Sequence, residues 1–246
     1  MTADLSALAG ATIAFDLDGT LVESAPDLVG TLNWLLAAEG LAPLPYADAR
    51  QFIGKGARWL IERGFAEAGA APPGDRMPLL FERFIAHYHA HIADESHPYP
   101  GMVEALETLR AHGARLCVCT NKLTGLSLSL LDALDLTRLF DSVTGADAAP
   151  APKPDRRHLE AAVAAAGGDI ARTIMVGDAA PDAGAARAAG AGLILVSFGY
   201  TEIPAHELGP DILIDHYDAL PAACVDLLVR RRMVDATGIE PVTPSV

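Results

Sequence analysis

The sequence predicts an α/β fold in which helices cover both faces of a parallel sheet and a helical insert follows the first strand. Three observations predict it: short continuous apolar runs, helix-length segments between most of them, and a long helical stretch near the N-terminus without a strand pattern. Buried apolar strands that alternate with helices are typical of parallel sheets, because the crossover helices cover both faces. We therefore expect a Rossmann-like sheet.

The predicted strands are short apolar runs, and they lie at Thr12–Phe15, Arg115–Cys119, 173–176, Gly192–Val196 and Ile212–Ile214. The segments between them have the length and pattern of helices, and they lie at residues 102–112, 123–134, 155–166 and 181–189. Glycine follows three of these segments, at Gly113, Gly167 and Gly190. Glycine is favoured just after the last turn of a helix, so these positions predict helix ends.

Residues 25–97 break the alternation of strands and helices. They contain helical patterns at 26–39, 57–68 and 78–91 and no convincing strand. The sequence thus predicts an α/β domain formed by residues 1–24 and 98–230, with a helical module inserted at 25–97. Residues 231–246 lack apolar periodicity towards their end and are expected to form a flexible C-terminal tail.

Composition limits the partners of this 246-residue chain. Its net charge is −14, and its densest basic run is Arg230-Arg231-Arg232, which argues against nucleic-acid binding. The chain has no apolar stretch of about 18 residues and no secretory signal pattern at its start, so we expect no membrane partner. The cysteines Cys117, Cys119 and Cys224 lack a zinc-site spacing and are expected to be reduced thiols. We expect a cytoplasmic monomer or homodimer.

Two aspartates follow the first predicted strand, in the segment Phe-Asp-Leu-Asp-Gly-Thr-Leu-Val at residues 15–22. Ligands bind beyond the carboxyl ends of the strands in an open parallel sheet, so Asp16 and Asp18 are expected at the rim of a site. One carboxylate could attack a phosphorus atom while the other exchanges protons with the leaving oxygen and with water. Gly19 would allow a sharp turn close to a phosphate, and Thr20 would donate a hydrogen bond to it. The alternative is that both aspartates only cap a loop.

Two carboxylates beside a phosphate dianion repel it, so the segment implies a divalent cation. Mg²⁺ prefers carboxylate, carbonyl and phosphate oxygens, and it is the expected cofactor. Asp178, after the strand predicted at 173–176, could reach a metal held by Asp16. Asp182, four residues later, could accept a metal-bound water or orient a lysine, although a helix cap would also explain it.

The remaining candidates lie just after one predicted strand and just before one predicted helix. Thr120 and Asn121 follow the strand Arg115–Cys119, where free amides and a hydroxyl could bind phosphate, although both residue types are also common helix caps. Lys153 lies between two prolines, Pro152 and Pro154, which indicates a fixed position from which it could neutralise the nucleophile and the phosphate. Together, these residues are the set that an Mg²⁺-assisted aspartyl-phosphate mechanism requires.

From residue 12 to about residue 228, this arrangement resembles the haloacid dehalogenase superfamily. The resemblance implies that Asp16 is the nucleophile, Asp18 the general acid and base, Thr120 the phosphate-binding residue and Lys153 the stabilising lysine. It implies a metal site formed by Asp16, the backbone carbonyl of Asp18, Asp178 and Asp182. Dehalogenases of the superfamily lack the second aspartate, so its presence favours phosphate chemistry.

The insert resembles the type 1 cap of that superfamily, which closes over the site and selects the substrate. Within the superfamily the chain is similar to bacterial phosphoglycolate phosphatases, on residues 16–27, 53–56, 120–122 and 198–200. This resemblance implies that the substrate is a small phosphorylated metabolite, 2-phosphoglycolate. Lys55 and Arg58 could then bind the substrate carboxylate, although Arg58 on a helix could equally be a surface residue. The chain departs from the family pattern at Ala179 and Pro181, where serine and asparagine are common, which leaves metal affinity open.

Other functions remain open from the residues alone. A sugar-phosphate phosphatase or a phosphomutase of the same fold would keep both aspartates. A mutase would return the phosphate to substrate and release little of it. A phospho-acceptor signalling module also combines an aspartate, a threonine, a lysine and Mg²⁺ on a parallel sheet. It would turn over poorly and would carry no helical insert.

Overall fold

The computed structural model describes residues 4–71 and 73–237, with side chains as far as residue 233. Its centre is a six-stranded parallel sheet with the strand order β5-β4-β1-β6-β7-β8. The strands of this sheet are β1 (Thr12–Phe15), β4 (Arg115–Cys119), β5 (Ser142–Thr144), β6 (Thr173–Gly177), β7 (Gly192–Val196) and β8 (Ile212–Ile214). The predicted parallel sheet is confirmed. Strand β5 was not predicted, because only one of its three residues, Val143, is apolar.

The central position of β1 aligns the carboxyl ends of three strands. Phe15 of β1 pairs with Val118 of β4 and with Val176 of β6, so the residues that follow these strands meet at one edge of the sheet. All four residues of β1 are buried. Both faces of the strand are therefore covered, as expected for the central strand of a parallel sheet.

Helices cover both faces of this sheet, as expected. They are α5 (Met102–Ala111), α6 (Thr124–Ala133), α7 (Arg156–Ala165), α8 (Ala180–Ala189) and α9 (Leu220–Thr237). Alternate side chains of β1 enter different apolar clusters. Ile13 packs with residues of α5 and α9, whereas Ala14 packs with residues of α7 and α8. We call the sheet with these helices the α/β region.

Residues 25–90 form a helical region with its own apolar cluster. Its helices are α1 (Ala25–Ala38), α2 (Tyr46–Arg50), α3 (Ala57–Glu67) and α4 (Met77–Ala90). Three of them match the predicted helices. The short helix α2 was not predicted, because five residues hold too little apolar periodicity. Leu126 and Tyr200 of the α/β region also belong to this cluster, so the two regions are packed together.

Two short antiparallel strands connect the helical region to the sheet. Strand β2 (Val22–Glu23) precedes the first helix, and β3 (His97–Pro98) follows the last one. Neither strand is predicted from the sequence, because two-residue strands leave no periodic pattern.

At the C-terminus, helix α9 continues to Thr237, beyond residue 230, where the sequence analysis begins the flexible tail. After Pro221 in its first turn, the helix contains no glycine or proline before Gly238, which accounts for the difference. The rest of the expected tail lies outside the described residues. Among the described residues, no helix combines the length and the apolar character that crossing a membrane requires.

Candidate active site

The strand ends bring the predicted acidic residues and the lysine together. Asp16 follows β1, and its amide donates a hydrogen bond to the carbonyl of Val176 in β6. Asp178 follows β6, and Asp182 lies in the first turn of α8. Oxygens of Asp16, Asp178 and Asp182 all lie within 4.8 Å of one another, and all three side chains are buried. The structure therefore brings these three predicted residues together, and their role as metal ligands stays a prediction.

Lys153 is the cation of this cluster. Its Nζ lies 2.9 Å from Asp16 Oδ1 and 2.6 Å from Asp182 Oδ1. Burial works against its charge, but the carboxylates of Asp16 and Asp182 outweigh burial and raise the pKa of Lys153. It is therefore a fixed ammonium group that faces the predicted nucleophile.

Two side chains hold the backbone of Lys153 in place. Its amide donates to Asn121 Oδ1 at 2.9 Å and lies 3.1 Å from His158 Nδ1. Asn121 Nδ2 in turn donates to the Lys153 carbonyl at 3.2 Å. Asn121, predicted to bind substrate, thus uses both ends of its amide on the lysine segment. His158 was not predicted, since a single histidine inside a helix carries no pattern.

Asp178 is held by residues from two separate loops. Its Oδ1 accepts from the Thr20 hydroxyl at 2.8 Å, and its Oδ2 accepts from the Tyr200 amide at 2.6 Å. At Gly19, with φ of 84°, a Cβ atom would lie 2.7 Å from Asp178 Oδ2, so only glycine fits. In the structure, the Thr20 hydroxyl and the backbone at Gly19 both lie against Asp178, and their contact with a phosphate stays a prediction.

In the described part of the chain, the cluster holds more acidic groups than cations. Three buried carboxylates face a single ammonium, and Asp16 Oδ1 has no aligned hydrogen-bond donor among the described residues. Burial raises the pKa of Asp16 to about 6, although Lys153 opposes the shift. Burial, followed by repulsion from Asp182, raises the pKa of Asp178 well above its usual range. Buried carboxylates of this kind favour a bound cation, so the residues fit an Mg²⁺ ion.

Asp18 lies beside this cluster but outside it. Its Oδ1 accepts from Ser24 Oγ at 2.6 Å, and Lys122 Nζ lies 2.8 Å and 3.0 Å from its two oxygens. Lys122 Nζ also donates to the hydroxyl of Tyr88, in α4, at 2.9 Å. The Asp18 carboxylate is therefore not in the metal cluster, and metal binding by its carbonyl stays a prediction. Lys122 had no predicted role, because an isolated lysine after Thr-Asn is usually solvated.

A cavity of about 530 Å³ lies between the two regions. On the α/β side it is lined by Asp16, Asp18, Thr120, Lys122 and Lys153, among others. On the helical side most lining residues are apolar, and they include Leu28, Ile53, Leu60, Phe81, Phe84 and Ile85. Thr120 is 2 % exposed, so its hydroxyl oxygen, which accepts from the Lys122 amide at 3.2 Å, lies in the buried floor of the cavity.

The two cap cations that were predicted to bind substrate differ in their surroundings. Both line the cavity. Lys55 Nζ lies 3.2 Å from Glu202 Oε1, so its charge is already paired. The guanidinium of Arg58 lies 4.7 Å from the centre of the Phe81 ring, and within the described ranges no carboxylate forms an ion pair with it. Arg58 is thus the better candidate for an anionic group of a ligand.

Comparison with known proteins gives consistent results. Residues 11–190 match the family model of the haloacid dehalogenase-like hydrolases. A phosphoglycolate phosphatase of Caulobacter vibrioides is 58% identical over 90% of this chain and 93% of its own length. That of Agrobacterium fabrum is 48% identical over 88% of this chain and 93% of its own. The crystal structure of a predicted phosphoglycolate phosphatase from Haemophilus somnus superposes with a TM-score of 0.81, at 29% identity, over 88% of this chain and 98% of that one.

Proposed function

This chain belongs to the haloacid dehalogenase-like hydrolases, and from that premise we propose that it hydrolyses 2-phosphoglycolate to glycolate and phosphate. The observation that carries the proposal is the buried Asp16, which lies at the end of the central strand and faces both Lys153 and the cavity. The relatives named phosphoglycolate phosphatase, with up to 58% identity over most of the chain, support the choice of substrate.

In the first step, a carboxylate oxygen of Asp16 attacks the phosphorus atom of the substrate. A bond forms between this oxygen and phosphorus as the ester bond to the glycolate oxygen breaks. Asp18 gives a proton to the departing oxygen, so glycolate leaves with a neutral hydroxyl group. Lys153, 2.9 Å from Asp16, offsets negative charge as the phosphoryl group approaches.

In the second step, water hydrolyses the aspartyl-phosphate. Asp18 takes a proton from the water as the water oxygen attacks phosphorus, and the bond between phosphorus and Asp16 breaks. Free phosphate leaves and the Asp16 carboxylate is restored. Lys122 and Ser24 keep the Asp18 carboxylate oriented beside Asp16 throughout both steps.

We assign Mg²⁺ binding to Asp16 and Asp178, with Asp182 as the third acid and the carbonyl of Asp18 as a further ligand. Bound there, the ion would supply positive charge that offsets the repulsion between the carboxylates and the phosphate. Asp182 has a second task. Its Oδ1 holds Lys153, and its Oδ2 accepts from the amides of Asp178 and Ala179, at 3.2 Å and 3.1 Å.

The helical insert at residues 25–97 acts as a cap over the α/β domain of residues 1–24 and 98–230. The cavity between the two regions supports this assignment, because a substrate inside it is shielded from water. Arg58, which has no acidic partner in the described part of the chain, binds the substrate carboxylate. Lys55 is paired with Glu202 and contributes less.

The partner is accordingly a small phosphorylated metabolite. The buried cysteines Cys117, Cys119 and Cys224 are all free thiols, which supports a reducing compartment such as the cytoplasm.

The proposal is tested with purified protein and a panel of phosphoesters in the presence of Mg²⁺. The panel contains 2-phosphoglycolate, ethyl phosphate, a glycerol phosphate and hexose monophosphates, and the readout is free phosphate. We expect 2-phosphoglycolate to give the highest kcat/KM and EDTA to abolish turnover. A higher kcat/KM with a hexose monophosphate would reject 2-phosphoglycolate as the preferred substrate. Isomerised substrate with little free phosphate would identify a mutase instead.

A further inference from the structure

Phe198-Gly199-Tyr200, just after β7, has no role in the mechanism above. Its last residue nevertheless contacts the metal cluster. The amide of Tyr200 donates to Asp178 Oδ2 at 2.6 Å, and Tyr200 is 2 % exposed. The position of the Asp178 carboxylate therefore depends on where this segment lies.

The segment approaches Asp178 too closely for larger residues. A Cβ atom at Gly199 would lie 2.1 Å from Asp178 Cβ. A Cβ atom at Gly19 would lie 2.8 Å from Cδ2 of the Tyr200 ring. Real Cβ atoms do not approach other atoms this closely, so glycine at these two positions is what allows the segment to pack directly against Asp178.

The hydroxyl of Tyr200 contacts the start of the helical region. It accepts from the amides of Ser24 and Ala25 at 2.8 Å and 3.0 Å, and it donates to Glu23 Oε1 at 2.6 Å. Ser24 and Ala25 form the beginning of α1, where amides have no partner within the helix. The buried Tyr200 hydroxyl thus accepts hydrogen bonds from two amides at the start of the helical region.

A cation from the helical region holds the same tyrosine from its other side. The guanidinium of Arg50, at the end of α2, lies 4.5 Å from the centre of the Tyr200 ring. It also donates to the carbonyls of Phe198 and Gly199, at 3.1 Å and 3.3 Å, and to Glu23 at 3.2 Å. The helical region therefore contacts the segment through two separate elements, α1 and α2.

We propose that Tyr200 is a positioning residue that couples the helical region to the metal-binding carboxylate of Asp178. The proposal rests on the proposed function only in that Asp178 binds Mg²⁺. When the first turn of α1 is seated on the Tyr200 hydroxyl, the Tyr200 amide is fixed at Asp178 Oδ2. Coupling of this kind is reciprocal, so Mg²⁺ at Asp178 stabilises the contact between Tyr200 and α1 to the same degree.

The chain offers a matched control for the test. Tyr46 also donates to Glu23, at 3.4 Å to Oε1, but none of its hydrogen bonds goes to Tyr200, to Asp178 or to the amides of α1. Isothermal titration with Mg²⁺ alone should show affinity reduced about tenfold in Tyr200→Phe and unchanged in Tyr46→Phe. Amide hydrogen exchange at Ser24 and Ala25 should accelerate in Tyr200→Phe only.

A second measurement needs no variant. In the wild-type protein, Mg²⁺ should slow amide exchange at Ser24 and Ala25. Unchanged exchange there with saturating Mg²⁺, or equal Mg²⁺ affinity in Tyr200→Phe and the wild type, would overturn the coupling. A wild-type protein that binds no Mg²⁺ would instead overturn the proposed metal site, and the coupling with it.

Discussion

The two sides of the cavity are built differently. On the α/β side, Asp16, Thr120 and Lys153 are 4 %, 2 % and 3 % exposed, and neighbouring charged or backbone groups restrain them. On the helical side, Lys55 and Arg58 are exposed and are carried by a loop and a helix start. Rigid elements hold reacting groups in place, and mobile ones adapt to different ligands. The difference indicates that residues on the α/β side carry out the chemistry, whereas residues on the helical side select the substrate.

This comparison predicts two kinds of variant. Substitutions on the α/β side should lower kcat, because they remove interactions made in the transition state. Substitutions on the helical side should raise KM, because they remove binding that substrate and transition state share.

The largest effect is expected for Asp16→Asn. Without the nucleophilic carboxylate, kcat for 2-phosphoglycolate should fall by at least about 10⁴-fold, while the fold persists because the amide has the same shape. Phosphate release measures the activity, and circular dichroism with thermal unfolding measures the fold. Full turnover by a folded Asp16→Asn protein would contradict the assignment of the nucleophile.

The next largest effect is expected for Lys153→Met. Removing the ammonium should lower kcat about 10²–10³-fold. It also leaves Asp16 and Asp182 without their buried counter-ion, so the free energy of unfolding in EDTA should fall by about 3–5 kcal/mol. Lys55→Met is the control, since that lysine is exposed on the helical side and its loss should change stability little. Equal losses of kcat in the two variants would contradict the inference that only the α/β side carries out the chemistry.

Arg58→Ala tests whether the helical side of the cavity binds the substrate carboxylate. Loss of a charged hydrogen bond to the substrate carboxylate should raise KM for 2-phosphoglycolate about tenfold and leave kcat nearly unchanged. With ethyl phosphate, which has no carboxylate, KM should not change. Lys55→Ala should have a smaller effect on both substrates, because Glu202 already pairs with that lysine. A rise in KM with ethyl phosphate as large as with 2-phosphoglycolate would reject carboxylate recognition by Arg58.

The same contrast explains what the sequence could predict. Asp16 and Asp178 directly follow apolar strands, and parallel pairing brings such positions to one edge whatever the loops do. The six-stranded sheet and the carboxylate cluster were therefore accessible from pattern alone, apart from the short strand β5.

Contacts between distant segments were not accessible in this way. How the loops and the helical region pack decides the ion pair of Lys122 with Asp18 and the hydrogen bond that Lys122 donates to Tyr88. It also decides which groups Thr20 and Asn121 contact. No periodicity records such packing. The hydrogen bonds that Thr20 makes to Asp178 and Asn121 makes to the backbone of Lys153 could not be read from the sequence, because they join segments that are distant along the chain.

The smallest predicted effect is a pH dependence of the free energy of unfolding when no metal is bound at Asp16, Asp178 and Asp182. Burial raises the pKa of Asp16 to about 6, so between about pH 4 and pH 6 the folded state binds more protons there than the unfolded state. This contribution therefore makes the protein less stable as pH rises through that window. His158 has the opposite effect. Burial lowers the pKa of His158 to about 4, so its contribution to the free energy of unfolding increases with pH until about pH 6.5.

Comparison with Asp16→Asn separates the two contributions, because His158 is present in both proteins. In EDTA, the free energy of unfolding of the wild type relative to Asp16→Asn should decrease from about pH 4 to about pH 6 and then level off. Urea unfolding at several pH values measures this difference. Mg²⁺ should remove most of the decrease, because a cation at the cluster offsets the charge that burial disfavours. A difference that stays constant with pH in EDTA would mean that Asp16 is ionised without a cation, and the cluster would then not require Mg²⁺ to balance its charge.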